Sequence, residues 1–295
     1  MNVLFATDGS ASAQRAQGLI AATDWGAPTR IEVLHVDQLF PEDLELPPGT
    51  YSAVHEKLAQ EIDALLAQTK RALEGPGREV ETKVMIGRPA SAMVDEARRT
   101  ETDLIVLGSH GRGAIGSALV GSVVAEVIDH APCPVLIARK ATLARAVLGH
   151  DGSDGARQAE QLVTAWPFLK RMAIRVVSAW SLVPGYAALD PAGGVFLDAE
   201  LYQQVIDDLR ADRERAAREA VTRLAQAGVS GEAETREGSS ADALVDAAKE
   251  WNADLIIVGS RGETGLARLF LGSVARSVLF HAPCSVLITR QRVSR

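Results

Sequence analysis

The sequence predicts an α/β protein of two tandem domains, each a five-stranded parallel sheet flanked by helices. Two observations predict this class. Short β-rich runs alternate with amphipathic helical patterns, and the runs are almost continuously apolar, as in strands that are buried on both faces. The same succession of segments also occurs twice within the 295 residues. We therefore place domain 1 at residues 1–140 and domain 2 at residues 145–295.

Three pairs of segments carry the internal repeat. VLFATDGS returns as VLGHDGS, DLIVLGSHG returns as DLIIVGSRG, and HAPCPVLI returns as HAPCSVLI. Aligned without gaps, Asp103–Ile137 and Asp254–Ile288 are identical at close to half of their positions. Asp8 matches Asp151 and Gly108 matches Gly259, so the second copy is about eight residues longer between these points.

Hydrophobic periodicity gives the elements of domain 1 in order. The predicted strands are residues 2–7, 30–36, 79–87, 103–108 and 134–139, and the helices between them are Ala11–Ala22, His55–Leu73, Pro89–Thr100 and Ser122–His130. Ligands of such sheets bind at the carboxyl ends of the strands, at a topological switch point. Thr7, Asp8 and Val36 end strands at that edge, and a glycine-rich segment follows the fourth strand there. We therefore expect them to line one pocket.

The glycine-rich segment GSHGRGAIGSALVGSVVAEVI, residues 108–128, has to be compared with the known phosphate-binding motifs. The P-loop pattern G-x-x-x-x-G-K-[ST] is absent from both copies. A dinucleotide pattern, G-x-G-x-x-G, occurs at Gly111, Gly113 and Gly116. It follows the fourth strand instead of opening the domain, and the second copy reads GETGLA there. A nicotinamide or flavin dinucleotide site is therefore disfavoured.

Both copies keep a different spacing, in which a G-x-x-G pair is followed after nine residues by Gly-Ser. The residues are Gly108, Gly111, Gly121 and Ser122 in the first copy and Gly259, Gly262, Gly272 and Ser273 in the second. Glycines let the backbone turn tightly and approach a ligand, and the free N–H groups of a helix that opens at Gly-Ser suit phosphate oxygens. The seryl hydroxyl either donates to phosphate or serves as the N-cap of that helix.

With ATDGS and GHDGS at the two starts and HAPCPVLI and HAPCSVLI at the two ends, the doubled spacing closely resembles the universal stress protein family, in particular its tandem-domain, ATP-binding members. The resemblance covers nearly the whole chain. It implies Rossmann-like domains of the adenine nucleotide alpha hydrolase type and ATP as the ligand, with Mg²⁺ held only through the ATP phosphates. It also implies that the last strands of the two domains pair within the chain as a pseudo-dimer. A further homodimer is expected.

The resemblance assigns two pockets, residue by residue. In the first, Asp8 contacts adenine or ribose, backbone atoms of Val36 contact adenine, and Ala6 and Thr7 lie beside the base. The phosphate residues of the first pocket are Gly108, His110, Gly111, Arg112, Gly121, Ser122 and Val123. The second pocket has Asp151, Ala179, Gly149 and His150 around the nucleoside, and Gly259, Arg261, Gly262, Gly272, Ser273 and Val274 around the phosphates. Because Arg112 becomes Glu263, and an acid repels polyphosphate, we expect the second pocket to bind ATP more weakly or to depend more on Mg²⁺.

The function implied by the resemblance is that of a non-catalytic, ATP-binding stress-response regulator. Its nucleotide occupancy would change its conformation or its binding to an unknown protein partner. The alternative is a slow ATP hydrolase that uses the same pockets. Neither glycine loop contains a lysine, and the nucleophile elbow G-x-S-x-G is missing, so we assign no catalytic residue. A scaffold with vestigial pockets is disfavoured because both signatures are intact.

Composition narrows the partners. The net charge of −7 argues against nucleic acid as the main partner. No apolar stretch approaches the roughly 18 residues that cross a membrane, and the first residues lack the basic region of a secretory signal. Two cysteines are too few for a disulfide framework. We therefore expect a cytoplasmic protein without a membrane or nucleic-acid partner.

Several other residues receive structural interpretations. His130 and His281 recur before APC and are expected at helix C-termini or in packing, and Cys133 and Cys284 are expected to be buried thiols. A helix at residues 199–228 alternates charge signs and should present a solvated face. The apolar segment Ser181–Phe196 is expected to be a lid or a contact surface.

Overall fold

The computed structural model describes residues 1–38, 50–111, 120–181, 199–260 and 271–290. The elements of the first copy are β1 (Asn2–Ala6), α1 (Ala11–Ala22), β2 (Thr29–Asp37), α2 (Thr50–Leu73), β3 (Arg78–Ile86), α3 (Pro89–Arg99), β4 (Leu104–Gly108), α4 (Ser122–His130) and β5 (Val135–Ala138). Those of the second are β6 (Arg145–Gly149), α5 (Asp154–Ala165), α6 (Pro167–Lys170), β7 (Ala173–Trp180), α7 (Ala199–Gln226), β8 (Gly231–Glu237), α8 (Ser240–Glu250), β9 (Leu255–Gly259), α9 (Ser273–His281) and β10 (Ser285–Thr289).

The strands of these residues form one sheet in the order β3-β2-β1-β4-β5-β10-β9-β6-β7-β8. Within each copy neighbouring strands are parallel. The last strands of the two copies, β5 and β10, are antiparallel neighbours at the centre of the sheet and pair Leu136 with Leu287. The predicted fold class, two tandem α/β units with five parallel strands each, is confirmed, and the two sheets are continuous through β5 and β10.

The predicted element boundaries agree closely with the structure. Helices α1 and α4 span the predicted residues, while α2 begins at Thr50, earlier than the predicted start at His55. The short helix α6 has no counterpart among the described residues of the first copy. It begins at Pro167, where a proline is well tolerated because the first N–H groups of a helix have no intrahelical partner.

Helices cover both faces of the sheet. Residues of α3, α4, α8 and α9 form one buried apolar cluster on one face, and residues of α1, α2, α5, α6 and α7 form another on the opposite face. Each cluster contains residues of both copies: Val135 and Val286 belong to the first, and Leu136 and Leu287 to the second. Alternate residues of β5 and β10 therefore join the cores of the two copies on both faces.

Two arginines hold the copies together reciprocally. Arg139, after β5, donates hydrogen bonds to carbonyl oxygens at the end of α9, among them that of Ala282 at 3.0 Å. Arg290, after β10, donates to carbonyl oxygens at the end of α4, among them that of Asp129 at 2.9 Å. The last carbonyls of a helix have no intrahelical partner and carry its negative dipole end, so a guanidinium stabilises each helix terminus across the junction.

Within the described ranges, no helix combines the length and the apolar character needed to span a membrane.

Candidate nucleotide-binding sites

Each copy has an Asp-Gly-Ser turn between its first strand and its first helix. Oδ1 of Asp8 accepts a hydrogen bond from the Ser10 amide at 3.0 Å, and Oγ of Ser10 caps α1 by accepting from the Ala13 amide at 3.2 Å. Gly9 has a φ of 76°, which favours glycine. The second copy repeats both hydrogen bonds and the positive φ at Asp151, Gly152 and Ser153. The turn therefore fixes one aspartate just beyond the carboxyl end of each first strand.

The first glycine of each G-x-x-G pair, Gly108 or Gly259, lies where the strand that it ends packs against the first helix of the same copy. A Cβ at Gly108 would lie 2.6 Å from the backbone carbonyl carbon of Ser12, and a Cβ at Gly259 would lie 2.7 Å from that of Gly155. Backbone atoms at such distances cannot accommodate a side chain without a shift of the chain. These glycines therefore allow β4 to pack on α1 and β9 to pack on α5, a packing role that the sequence pattern alone did not reveal.

Gly111 lies beside the aspartate of the first copy, and Gly121 is held at the end of β4. A Cβ at Gly111 would lie 2.9 Å from Oδ2 of Asp8, so the segment begins directly against the carboxylate. The amide of Gly121 donates to the carbonyl of Ser109 at 3.0 Å, and in the second copy Gly272 donates to Ser260 at 2.9 Å. These bonds bring the start of α4 and of α9 back to the ends of β4 and β9.

Helices α4 and α9 begin without a side-chain cap. Their N-cap residues are Gly121 and Gly272, whereas α1, α5 and α8 have serine caps that accept a backbone N–H. The alternative in which Ser122 serves as the N-cap is wrong, because Ser122 is the first residue inside the helix. First-turn N–H groups without an intrahelical partner lie at the positive end of the helix dipole and form a ready anion site.

A cavity of about 670 Å³ lies at this edge of the first copy. It brings together every predicted first-pocket residue that the structure describes: Ala6, Thr7, Asp8, Val36, Gly108, His110, Gly111, Gly121, Ser122 and Val123. Arg112 lies outside the described residues. Leu58 of α2 and Met93 of α3 add apolar surface. The cavity therefore combines an apolar wall with a few convergent polar groups, as small-molecule sites do.

The corresponding cavity of the second copy is smaller, about 320 Å³. It brings together Gly149, His150, Asp151, Ala179, Gly259, Gly272, Ser273 and Val274, which are all the predicted second-pocket residues that the structure describes. Arg261 and Gly262 lie outside the described residues, as do Glu263 and the remainder of that loop up to residue 270. Trp180 of β7 and Arg213 of α7 also line this cavity.

A charge cluster around the buried carboxylate of Glu160 supports the wall of the second cavity. Nε2 of His150 lies 3.2 Å from Oε2 of Glu160, at ion-pair distance but without the alignment of a hydrogen bond. Arg223 of α7 donates from Nε and Nη2 to the two oxygens of Glu160, at 2.7 and 3.0 Å. Burial acts to raise the pKa of Glu160, but the contacts with His150 and Arg223 outweigh it and hold this pKa below its usual value.

Of the side chains that distinguish the cavities, His35 is visible in the sequence, where His35 and Val36 of the first copy become Ser178 and Ala179 in the second, whereas the arginines of α7 were missed. His35 lines the first cavity and its Nδ1 lies 2.9 Å from the carbonyl oxygen of Thr7. Arg213 and Arg223 belong to the helix that was predicted only to be solvated, although that helix also has exposed ion pairs. A signal was available: aligning the copies sets Arg213 against Ile62, a buried apolar position of α2.

The other structural predictions can be compared directly. His130 and His281 are the last residues of α4 and α9, and each Nδ1 lies within 2.9 Å of a carbonyl oxygen one turn earlier, as expected for helix C-termini. Cys133 and Cys284 are buried, and burial raises the pKa of the Cys284 thiol to about 12. Apart from Ser181 at its start, the segment Ser181–Phe196 lies outside the described residues.

Comparison with known proteins identifies the family. A sequence model described as the Universal stress protein family matches residues 1–139 and 143–290. Universal stress protein Rv2005c of Mycobacterium tuberculosis is 27% identical over 262 residues, covering 83% of this chain and 81% of that protein. A Thermus aquaticus universal stress protein is 34% identical over 137 residues, covering 46% of this chain and 97% of its own.

A solved structure shows the same fold over the full length. The universal stress protein from Archaeoglobus fulgidus superposes with a TM-score of 0.65 and 19% identity, covering 99% of this chain and 98% of its own. The sequence match extends over both copies of the repeat, and the duplicated fold is shared along the whole chain. This chain therefore belongs to the universal stress protein family.

Proposed function

We propose that this chain binds ATP and acts as a nucleotide-dependent regulator in the stress response, without a catalytic step of its own. One observation carries the proposal, and it occurs in both copies. A fixed aspartate and the start of a helix that lacks a side-chain cap line the same cavity. Helices α3 and α6 also start without a side-chain cap, but there a proline, which has no N–H group, occupies the first turn; serines cap α1, α5 and α8.

The residues present fit ATP chemically. The N–H groups at the start of α4 and α9 suit phosphate oxygens, and Ser122 and Ser273 can donate a further hydrogen bond there. The carboxylates of Asp8 and Asp151 accept hydrogen bonds, which suits ribose hydroxyls or the adenine amino group. Mg²⁺ would be held by the phosphate oxygens of ATP, because it prefers oxygen ligands and commonly binds through substrate phosphates.

A regulatory role follows from what the ligand would connect. ATP in the first cavity would contact the turn after β1, the end of β2 and the start of α4, which are separate segments of one copy. A ligand that binds the folded protein stabilises it by mass action and favours the conformations that hold these segments together. The protein partner that reads this occupancy, and homodimer formation, stay predictions.

The first experiment is to identify what the protein carries. The full chain is purified without added nucleotide and heat-denatured, and the released small molecules are identified and quantified by mass spectrometry. Titration calorimetry of a second sample, freed of bound nucleotide, with ATP then gives the affinity and the number of sites. We expect ATP as the bound nucleotide and close to two sites per chain. Release of NAD or a flavin, or no heat of binding with ATP, would contradict the proposal.

The slow-hydrolase alternative is tested with the same material. Release of ADP alone, together with ATP turnover that disappears in a Gly121→Asp/Gly272→Asp double variant, would favour the hydrolase. Turnover that persists in the double variant would come from a contaminant.

A further inference from the structure

One tryptophan at the second cavity differs from the others in the chain. Three of the four tryptophans pack against another ring or a guanidinium, namely Trp25 and Trp166 against Phe168 and Trp251 against Arg175. The fourth, Trp180, is the last residue of β7 and lines the second cavity. Among the described residues it has no ring or cation partner, and its indole N–H donates no hydrogen bond to them. Its aromatic surface is therefore available to a ligand.

The first copy has no aromatic residue at this place. Trp180 matches Asp37, the last residue of β2, which lines the first cavity. The apolar residue contributed by the following helix is kept, since Leu209 of α7 matches Leu58 of α2 and each lines its own cavity. The second copy therefore has an indole in place of a carboxylate beside a wall that is apolar in both copies. An indole fills more space than a carboxylate, in keeping with the smaller volume of the second cavity.

The walls of the second cavity differ in the part of a nucleotide that they suit. The start of α9 offers N–H groups to phosphate oxygens. Trp180 comes from a different element, β7, and the cavity has further apolar lining from Val177, Leu209 and Leu244. The base is the one part of a nucleotide with a flat aromatic face, and such a face stacks favourably on an aromatic side chain.

We propose that Trp180 is a base-binding residue of the second pocket and stacks on the ring system of the bound nucleotide. This inference rests on the proposed nucleotide binding. At the matching position of the first pocket, the carboxylate of Asp37 supplies hydrogen-bond acceptors and no aromatic face. The two pockets therefore hold the same ligand by different contacts to its base.

The test isolates the second pocket and compares an aromatic with an aliphatic side chain. Gly121→Asp closes the first pocket to anions, and Trp180→Leu and Trp180→Phe are made in that background. The same two substitutions at Trp251 are the matched controls, because Trp251 contacts Arg175 and is not among the described residues that line the two cavities. Calorimetry measures the ATP affinity, circular dichroism confirms that each variant is folded, and tryptophan emission is recorded with excitation where adenine does not absorb.

We expect Trp180→Leu to weaken ATP binding about tenfold, since stacking of a base on an aromatic ring contributes strongly to affinity. Trp180→Phe should stay within about threefold of the parent, because it keeps a ring. The Trp251 variants should differ from the parent by less than about twofold. Saturating ATP should quench the emission of the parent and of Trp251→Phe, and this quenching should be lost in Trp180→Phe, where the stacked indole is missing.

Several results would overturn the inference. Unchanged ATP affinity in Trp180→Leu, or equal losses in Trp180→Leu and Trp180→Phe, would show that binding does not use an aromatic ring. Quenching that persists in Trp180→Phe would show that the ligand lies against another tryptophan. A Gly121→Asp parent that binds no ATP would show that the second pocket is empty. Failure of the proposed function is distinct from all of these, because the wild-type chain would then bind ATP at neither pocket.

Discussion

The two cavities are built on the same backbone but differ in the side chains around it. Both have the aspartate turn, a glycine where a strand packs on the first helix, and a helix that starts at an uncapped Gly-Ser. Their volumes differ about twofold, 670 Å³ against 320 Å³, and α2 supplies Leu58 where α7 supplies Arg213 in addition to Leu209.

This difference shows which constraints survive a duplication. Most glycines with a positive φ recur in both copies, for example Gly9 and Gly152, whose φ values are 76° and 87°; Gly26 is an exception, since helix α6 occupies the corresponding place in the second copy. Positions that only line the cavity are free to exchange apolar, polar and charged residues as long as each buried charge finds a partner. Behind the cavity wall, the second copy has the ion pair of Glu160 and Arg223 where the first copy has Gln17 and Ala72.

The largest expected effect is the loss of one nucleotide site at a time. Gly121→Asp or Gly272→Asp places a carboxylate at the N-cap, where it accepts the first-turn N–H groups and repels phosphate. Each variant should bind one ATP less per chain, with the affinity of the altered pocket reduced about 100-fold or more. Calorimetry of the two single variants measures both quantities.

The matched controls are Gly121→Ala and Gly272→Ala, which add a methyl group without charge and should retain both sites. A stoichiometry of two that persists in the Asp variants would contradict the assignment of the helix starts to phosphate. Equal affinities of the two remaining pockets would contradict the functional difference between the copies.

The next effect concerns stability and should be equal in the two copies. Gly108→Ala and Gly259→Ala push a Cβ against the backbone of Ser12 and Gly155, so each should lower the free energy of unfolding by about 1–3 kcal/mol. Gly18→Ala is the control: Gly18 is an exposed position of α1 with no atom within 4 Å of the added Cβ, and alanine should raise stability there by about 0.5–1 kcal/mol. Urea denaturation of the three variants measures these changes. If Gly108→Ala and Gly259→Ala had wild-type stability, the first signature glycine would be explained by the ligand alone.

The fold could be predicted from the sequence because its signals are local and occur twice. The apolar strands and the amphipathic helices each have their own periodicity. Because the same succession of elements occurs in both copies, the assignment in one copy supports the assignment in the other. The short helix α6 was missed because Pro167–Lys170 is too short to show a helical period. The reciprocal arginines at the junction also have no local signal, since Arg139 meets the end of α9 only when β5 and β10 are paired.

The site could be predicted only where its residues are fixed by the turn or the helix start. Asp8 and Gly121 follow from motifs whose spacing is visible in the sequence. The packing role of Gly108 depends on how closely β4 approaches α1, which no spacing reveals. Arg213 and Arg223 lie on a charged helix, and their importance depends on the face that α7 turns toward β6 and α5.

An effect of similar size should separate the copies by pH. Glu160→Gln removes the charge that pairs with Arg223 and His150, so it should lower the free energy of unfolding by about 1–3 kcal/mol at pH 7. The folded-state pKa of Glu160 is lowered, so its contribution is present above the ordinary carboxyl pKa and is lost as pH falls through the folded-state value. The difference in free energy of unfolding between wild type and variant should therefore become smaller in acid.

Glu219→Gln is the control, because Glu219 also pairs with Arg223 but its side chain is 61% exposed. Equal effects of the two substitutions would show that the buried cluster has no special role in the second copy.

The smallest effect has the opposite sign and belongs to the first copy. Burial, followed by the neighbouring Glu96, raises the pKa of Glu32 to about 7, while Arg99 foremost lowers that of Glu96 to about 2. The second copy has Arg175 and Ala247 at the matching positions, so the acidic pair is absent from that place.

Because the folded-state pKa of Glu32 lies above its ordinary value of 4.5, the fold favours the protonated carboxyl, and this stability is lost as pH rises through about 7. Glu32→Gln mimics the protonated form. It should leave stability nearly unchanged at pH 4, below the ordinary pKa of 4.5, and raise the free energy of unfolding by on the order of 1 kcal/mol at pH 8. Glu79→Gln, at a position on β3 with a 67% exposed side chain, should show no such dependence. Parallel pH profiles for wild type and Glu32→Gln would mean that Glu32 is ionised throughout, and the contrast would then rest on the second copy alone.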